Sequence, residues 1–275
     1  MIKRVMPLVL ILLLGVHCTK RGDSNPTGPT PNGGTKSYVK AVDIYMGDVT
    51  TEEAEHPFLR ESIEFKLDSK NRITNIRGVE YNDANEIVDV YADINLDYND
   101  GDYTLMVTTT MDGEEVAVEC DLNDRGAITT ARWMSPEDVV GLVEDFVYND
   151  SGELVTYTLS LGNMVGVSLD YEWKDGNIVG ITSEDMAIND SFTYIDEPNP
   201  YNIDMFYAYA WNMPMLAEVI LIHDGLFGNT NRSMLKSCRI SILGEEVYEE
   251  FTHKFKDGLV EYTKYEDAII RYRCF

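Results

Sequence analysis

The chain has 275 residues, of which 48 are Asp or Glu and 22 are Lys or Arg, so its formal net charge is −26. A surface this acidic repels nucleic acid and anionic lipid headgroups, because both are bound by basic patches. The length suits one large β domain, and two smaller domains are also compatible with it.

The first 17 residues are typical of a secretory signal peptide. Lys3 and Arg4 precede an apolar run over residues 5–16. A helix needs about 20 apolar residues to cross a bilayer, so this run is too short for a transmembrane helix. A charged start followed by a short apolar core predicts a signal peptide over residues 1–17 that is removed on export.

Cys18 follows the apolar run and predicts a lipid anchor. Residues 14–18 resemble the lipobox of bacterial lipoproteins, although His17 stands where that motif has Gly, Ala or Ser. The alternative is ordinary signal cleavage nearby, which leaves Cys18 unmodified. We predict export from a Gram-negative cell and anchoring in the envelope through Cys18. The expected membrane is the outer one, with the protein facing the periplasm or the cell surface.

Residues 18–36 are predicted to form a flexible tether. Residues 19–35 contain three Pro and four Gly among polar residues and no apolar residue, so this segment cannot bury a core. Residues 37–275 are then expected to fold as a single β-rich domain.

Three cysteines remain beyond the anchor, in what should be an oxidising compartment. They are Cys120, Cys238 and Cys274, and their odd number leaves at least one thiol unpaired within the chain. Cys238 and Cys274 share the C-terminal region and are the favoured pair, but the sequence does not fix the connectivity.

A strand–turn–strand pattern recurs along the chain. Each copy has alternating apolar residues, then a turn rich in Asn, Asp and Gly, then an aliphatic residue that opens the next strand. Because Asn, Asp and Gly tolerate the positive φ of tight turns, each copy predicts a β-hairpin. The copies span residues 65–73, 81–87, 96–105, 120–128, 146–154, 171–178 and 255–259. They predict an all-β fold, an antiparallel meander of hairpins.

Two segments depart from this pattern. Apolar residues spaced three and four apart predict an amphipathic helix over residues 203–211, and residues 215–223 predict a second short helix. Phe206 and Trp211 on the first helix are expected to plug the concave face of the sheet. Ser135 and Pro136 could begin a helix, but we interpret residues 139–154 as strand.

The lipobox, the tether, the Tyr/Phe-x-x-Asp-x-Gly hairpins and the stretches 202–207 and 225–236 together resemble a Bacteroidetes lipoprotein family of unknown function with a porin-like fold, the domain of unknown function 4595. The resemblance implies a strongly curved antiparallel sheet, an incomplete barrel, with residues 202–236 crossing or filling its concave side. It implies no activity, because that family has none assigned.

No motif in the sequence predicts a metal site or a cofactor. His56, His223 and His253 do not stand at metal-ligand spacing, and no Cys-x-x-Cys or Gly-x-Ser-x-Gly occurs. The acidic turn within residues 97–102 has its Gly one place too early for an EF-hand loop and lacks the Glu at the twelfth position. We therefore predict no catalytic, cofactor-binding or metal-binding residue.

The C-terminal strand bears on how the protein meets the membrane. Counting back from Phe275 by twos gives Arg273 and Arg271, and a lipid-facing strand would present apolar residues at these positions. We therefore expect a solvated sheet whose only membrane contact is the lipid on Cys18.

Three functions are compatible with these features. The first is a non-enzymatic module that binds an unknown ligand or envelope protein. The second is a surface glycan-binding accessory protein, because some of the 17 Tyr and 3 Trp could stack on sugars. The third is a hydrolase with an unrecognised site. Exposed clustered aromatic residues would favour the second function, and two buried carboxylates with shifted pKa values facing a pocket would favour the third.

Overall fold

The fold of the described residues is all-β, as predicted. The computed structural model describes residues 39–46, 58–99, 101–111, 114–134, 141–162, 164–184, 187–199, 226, 228–242, 245–265 and 268–274. These residues form a single antiparallel sheet of 17 strands. The signal peptide, Cys18, the tether and the helices predicted within 203–223 lie outside the described residues. Within the described part of the chain, no helix has the length and apolarity to cross a membrane.

The strands follow one another in chain order. They are β1 Val39–Met46, β2 Phe58–Leu67, β3 Ile73–Tyr81, β4 Ile87–Asn99, β5 Thr104–Met111, β6 Glu114–Leu122, β7 Ile128–Met134, β8 Leu142–Tyr148, β9 Leu154–Leu161, β10 Met164–Lys174, β11 Asn177–Ser183, β12 Ile188–Pro198, β13 Ser233–Ile242, β14 Glu245–Glu250, β15 Thr252–Lys256, β16 Leu259–Tyr265 and β17 Ala268–Cys274. Strand β8 and the first residue of β9 lie within the segment 139–154 predicted to be strand, of which the structure describes residues 141–154.

The sheet curls until its first and last strands meet. Each strand from β1 to β13 pairs with the next one along the chain, and so do β15 with β16 and β16 with β17. Strand β1 also pairs with β17, from Val39 opposite Cys274 to Met46 opposite Ala268. The result is a nearly closed, barrel-like sheet, so the predicted curved antiparallel meander is confirmed.

Strands β14 and β15 are joined by Phe251. Before this residue β14 pairs with β13, and after it β15 pairs with β16. The Phe251 N–H donates to the Lys236 carbonyl on β13 at 2.9 Å. His253 then joins the two sides: its Nε2 lies 2.5 Å from the Leu235 carbonyl and its Nδ1 lies 2.8 Å from the Thr263 hydroxyl on β16. Burial lowers the pKa of His253. This half-buried imidazole therefore ties neighbouring strands together.

All seven predicted hairpins are present, and four of their turns share one design. In the β6–β7 turn, Asn123 Oδ1 accepts hydrogen bonds from the N–H groups of Arg125 and Ala127. A residue with positive φ, here Gly126 at 82°, completes the turn. The same arrangement starts from Asp68, Asn82 and Asn149. Local side-chain chemistry therefore sets these four strand connections.

The core lies on the inner face of the ring. On β4, Ala92, Ile94 and Leu96 are buried, whereas the alternate residues Asp93 and Asp97 are exposed. The same alternation continues around the sheet, and buried apolar residues from β1 to β17 form one cluster. The sheet therefore encloses its own apolar face and presents charged side chains outward.

Candidate functional site

The two ends of the ring differ. Seven connections meet at one end, which we call the strap end: β2–β3, β4–β5, β6–β7, β8–β9, β10–β11, β12–β13 and β15–β16. The other end, which we call the far end, carries the remaining hairpin connections. Strand β1 begins at the strap end and runs toward the far end, because its first residue Val39 pairs with Cys274 at the end of β17.

A short segment before β13 crosses the turns of the strap end. We call residues 226 and 228–233 the strap. The Leu226 carbonyl accepts from the Ile128 N–H at 2.6 Å, and the Asn229 N–H donates to the Gly152 carbonyl at 2.7 Å. Further along, Asn231 Oδ1 accepts from the Ile178 N–H at 2.6 Å. The strap therefore joins the β6–β7, β8–β9 and β10–β11 hairpins in turn.

The strap needs glycine where it passes the β8–β9 turn. Gly228 has a φ of 83°, and a Cβ at this position would lie 2.3 Å from the Gly152 carbonyl oxygen and 2.8 Å from the Tyr148 ring. The Tyr148 hydroxyl in turn donates to the Ile128 carbonyl at 2.7 Å. The backbone therefore packs tightly against this end of the sheet. The resemblance assigns residues 202–236 to the concave side; the strap is the part before β13 that the structure describes, and 202–225 lie outside it.

Exposed apolar side chains concentrate at the far end. Met164 is 68% exposed and Leu161 46%, on either side of the β9–β10 connection, and Val165 lies beside them. Others at the same end are Ile87, Val88, Val90 and Met134. The far end therefore exposes more apolar surface than the strap end does.

Three carboxyl groups on the inner face have raised pKa values. Burial is the main cause in each case: it raises the pKa of Glu144 to about 7 and that of Asp190 to about 6. Burial, with the neighbouring charge of Glu80, raises the pKa of Glu61 to about 7. All three lie within four residues of the far-end terminus of their strands, so these carboxyl groups gather in the far half of the inner face.

Glu144 has the most enclosed surroundings of the three. The residue is 0% exposed, and Trp133 Nε1 on β7 donates to its Oε1 at 2.7 Å. Its Oε2 is buried and has no hydrogen-bond partner in the described part of the chain. The hydroxyl of Tyr157 on β9 is likewise buried without a partner there. The charge of Glu144 contributes to the raised pKa values of Tyr157 and Cys120, so these groups share one region of the interior.

The three carboxyl groups do not form an acid–base pair. They lie on β2, β8 and β12, and none of them is among the causes of another's pKa shift. Paired catalytic carboxylates lie within about 10 Å of each other and influence each other's pKa. The arrangement can bind or release protons and accept hydrogen bonds, but it does not form a pair suited to glycoside hydrolysis.

Among the described residues, the cysteines and the acidic turn that the sequence offered as candidates do not form a functional site. Cys120 and Cys238 are free and buried, so the favoured bridge from Cys238 to Cys274 is wrong. In the β4–β5 turn, Asn99 Nδ2 donates to Asp102 Oδ2 at 2.7 Å, which holds the acidic turn together internally. No group of three or more His, Cys, Asp or Glu in the described ranges could hold a metal ion. Cys18, His56 and His223 lie outside those ranges.

Sequence reasoning missed Glu144 and Asp190 because carboxylates are abundant in this chain. A usable signal is that each occupies an inward-facing position in the alternation of its strand. Glu144 takes the place of an apolar residue in the alternation Leu142, Glu144, Phe146 of β8, and Asp190 lies between Ile188 and Phe192 on β12 in the same way.

Comparisons with known proteins show the fold and nothing finer. No protein-family model matches the chain, and no curated protein matches it. Among solved structures, a porin-like protein from Bacteroides uniformis has a TM-score of 0.64 at 13% identity, covering 88% of this chain and 99% of its own. A porin-like protein from Bacteroides vulgatus has a TM-score of 0.50 at 11% identity, covering 86% and 98%. The porin-like fold is therefore confirmed, and the lipoprotein family stays a prediction.

Proposed function

We propose that the protein is an exported, lipid-anchored component of the cell envelope that binds a ligand or partner protein at its far end without catalysing a reaction. The observation that carries this proposal is the contrast between the two ends. The strap crosses three of the hairpin turns at one end, while Leu161, Met164 and Val165 are exposed at the other. Exposed apolar surface of this kind marks interaction sites in monomeric proteins.

The position of the tether supports this orientation. Strand β1 begins with Val39 at the strap end, so a chain anchored at Cys18 joins the domain there. A flexible segment of about 20 residues has a typical end-to-end distance of roughly 25 Å. The strap end is then the end attached to the anchor, and the far end stays free to meet binding partners.

The outer face supports attachment through the lipid alone. On β4, Asp93, Asn95 and Asp97 point outward and are exposed, where a lipid-facing strand would carry apolar residues. Arg271 on β17 is also exposed and lies over the Tyr45 ring at 5.6 Å. A charged exterior of this kind favours contact with water.

Neither alternative function gains a specific observation from the described residues. Tyr103 and Tyr248 are exposed aromatic residues, but Tyr103 lies in a strap-end turn and Tyr248 on β14, so they do not form a shared platform for sugars. The dispersed carboxyl groups described above likewise give no support to a hydrolase.

A photo-crosslinking amino acid at position 164 tests the binding function in cells that produce the protein. Val147 is the matched control, because it is an exposed apolar residue on β8 near the strap end. We expect a discrete crosslinked species from position 164 and none from position 147. Equal patterns from the two positions, or no adduct from either, would contradict a far-end binding surface.

Cell fractionation tests the anchor separately. A Cys18→Ser chain is expected to leave the membrane fraction, because no other residue is assigned to membrane attachment. Cys274→Ser serves as the control and should still sediment with membranes. If the Cys18→Ser chain stays with the membranes after a high-salt wash, the lipid-anchor proposal is wrong.

A further inference from the structure

Two polar atoms that lie in the same region of the inner face have no hydrogen-bond partner in the described part of the chain. Glu144 Oε2 and the Tyr157 hydroxyl are both buried without a hydrogen-bond partner among the described residues, and the two residues are 0% and 1% exposed. They are close, because Glu144 pairs with Leu159 on β9, two residues from Tyr157 on the same face. Buried polar atoms are usually hydrogen-bonded, so two neighbouring exceptions indicate a position that a guest molecule completes.

The position lacks a positive charge. No Lys or Arg of the described chain forms an ion pair with Glu144, and no basic residue contributes to its pKa. Arg132, which pairs with Val143 beside Glu144, points outward and binds Asp121. Buried carboxylates are normally paired with a cation. A guest for this position is therefore expected to carry the missing positive charge.

Three aromatic side chains lie near the carboxyl group. Trp133 reaches it from β7, Phe146 follows it on the same face of β8, and the Phe146 and Tyr157 ring centroids lie 5.4 Å apart. In the cross-strand row, the neighbour of Glu144 on β7 is Ala131, which has a small side chain. A carboxylate among aromatic rings suits an organic ammonium group, which donates hydrogen bonds and interacts with ring faces.

We propose that Trp133, Glu144 and Tyr157 form a binding site for the ammonium group of a small organic amine. The ammonium N–H groups donate to Glu144 Oε2 and to the Tyr157 hydroxyl oxygen, and the aromatic rings contact its alkyl part. The site gives a ligand class to the binding function proposed above and rests on it. The crosslinking at position 164 probes the far-end surface separately, so failure of one can be told from failure of the other.

Binding at this site depends on pH. The amine pairs with the ionised form of Glu144, whose pKa is about 7. The other titratable groups facing it are Cys120 on β6, Tyr157 on β9 and, behind Tyr157, Tyr171 on β10. Burial raises the pKa values of Cys120 and Tyr157 further, so both stay neutral in this range. Between pH 6 and pH 8 the ionised fraction of Glu144 rises about tenfold, and the affinity should rise with it.

Titration of the purified full chain with n-butylammonium chloride tests the proposal. Calorimetry and tryptophan emission, which includes Trp133, are recorded at pH 6 and pH 8, with n-butanol and potassium chloride as comparison solutes. We expect saturable binding of the amine, about tenfold tighter at pH 8, and no saturable binding of the two comparison solutes. Absence of saturable amine binding at pH 8, or equal affinity at both pH values, would overturn the site.

Two matched variants distinguish the site from general attraction to an acidic protein. Glu144→Gln keeps the acceptor for Trp133 and removes the charge, so it should weaken amine binding at least tenfold. Glu61→Gln makes the same change at a partly buried carboxyl of similar pKa and should leave binding unchanged. Circular dichroism checks that both variants fold, and Tyr157→Phe replaces Glu144→Gln if the latter does not. Binding that survives the substitution at Glu144, or at Tyr157 in that case, would assign it to the acidic surface instead.

Discussion

The strap end and the far end use the same sheet in different ways. Where the strap crosses the sheet the inner face is closely packed, with Ile128, Leu154 and Ile178 buried beneath it. At the far end the same face carries the raised-pKa carboxyl groups, and Leu161 and Met164 are exposed. Regions that bind or move are drawn from the less stable parts of a protein. Under the proposed function, the strap end supplies stability and the far end supplies the binding surface.

The strap shows how that difference arises along the chain. Its backbone and asparagine side chains form hydrogen bonds to the ends of separate hairpins. Without these bonds the ends of those hairpins would not be linked to one another. Ile178 N–H reaches Asn231, and the Ser233 N–H donates to Asn177 Oδ1 at 2.8 Å. Buried hydrogen bonds of this kind each contribute about 1 kcal/mol. The described far-end connections show no comparable crossing segment.

The largest expected effect comes from truncating one leucine at each end of the same strand. Leu154 and Leu161 begin and end β9, and they are 1% and 46% exposed. Leu154→Ala should lower the free energy of unfolding by roughly 2–5 kcal/mol, because it leaves a cavity in a closed core. Leu161→Ala should lower it by less than about 1 kcal/mol. Urea unfolding followed by circular dichroism measures both, and equal losses would contradict the contrast between the ends.

The hairpins of this fold could be predicted from sequence because their information is local. Asn123, Gly126 and their equivalents set four of the turns within five residues, and apolar alternation sets the faces. The closure of the sheet could not be predicted in this way. Strands β1 and β17 pair although almost the whole chain separates them in sequence. Nothing in residues 39–46 specifies residues 268–274 as their partner. The curved, barrel-like shape was expected only from the resemblance to a lipoprotein family.

The candidate site was harder to predict than the fold. Glu144 becomes notable only when β8 is known to turn that face inward, because 48 acidic residues make any single one unremarkable. Its contact with Trp133 joins two strands, and the lack of a partner for Oε2 is a property of the packed interior. Similarly, the strap's hydrogen bonds from Asn229 and Asn231 depend on where three hairpins lie. These features depend on tertiary contacts that local patterns do not encode.

A second, smaller effect tests the strap itself. Gly228 and Gly126 both have φ near 82°, but a Cβ on Gly228 would collide with the Gly152 carbonyl, whereas one on Gly126 meets nothing within 4 Å. Gly126→Ala should therefore cost only the left-handed backbone penalty, about 1 kcal/mol. Gly228→Ala should cost about 2–3 kcal/mol, because the strap must also move. Thermal unfolding compares the two variants; similar melting temperatures would mean that the strap adds little stability.

The last expected effect concerns how pH acts on the far half of the inner face. The pKa of Glu144 is raised from 4.5 to about 7 by burial, so the folded protein binds this proton more tightly than the unfolded chain does. Its contribution to stability is fully present below about pH 4.5 and is lost as the pH rises through about 7. In the absence of ligand, the wild-type chain should lose roughly 2–3 kcal/mol more than Glu144→Gln between pH 5 and pH 8. Asp124→Asn, an exposed change in a strap-end turn, is the matched control and should follow the wild type. Urea unfolding at several pH values gives the comparison. If Glu144→Gln shows the same pH dependence as the wild type, then Glu144 is not the group that makes the far half of the interior sensitive to protons.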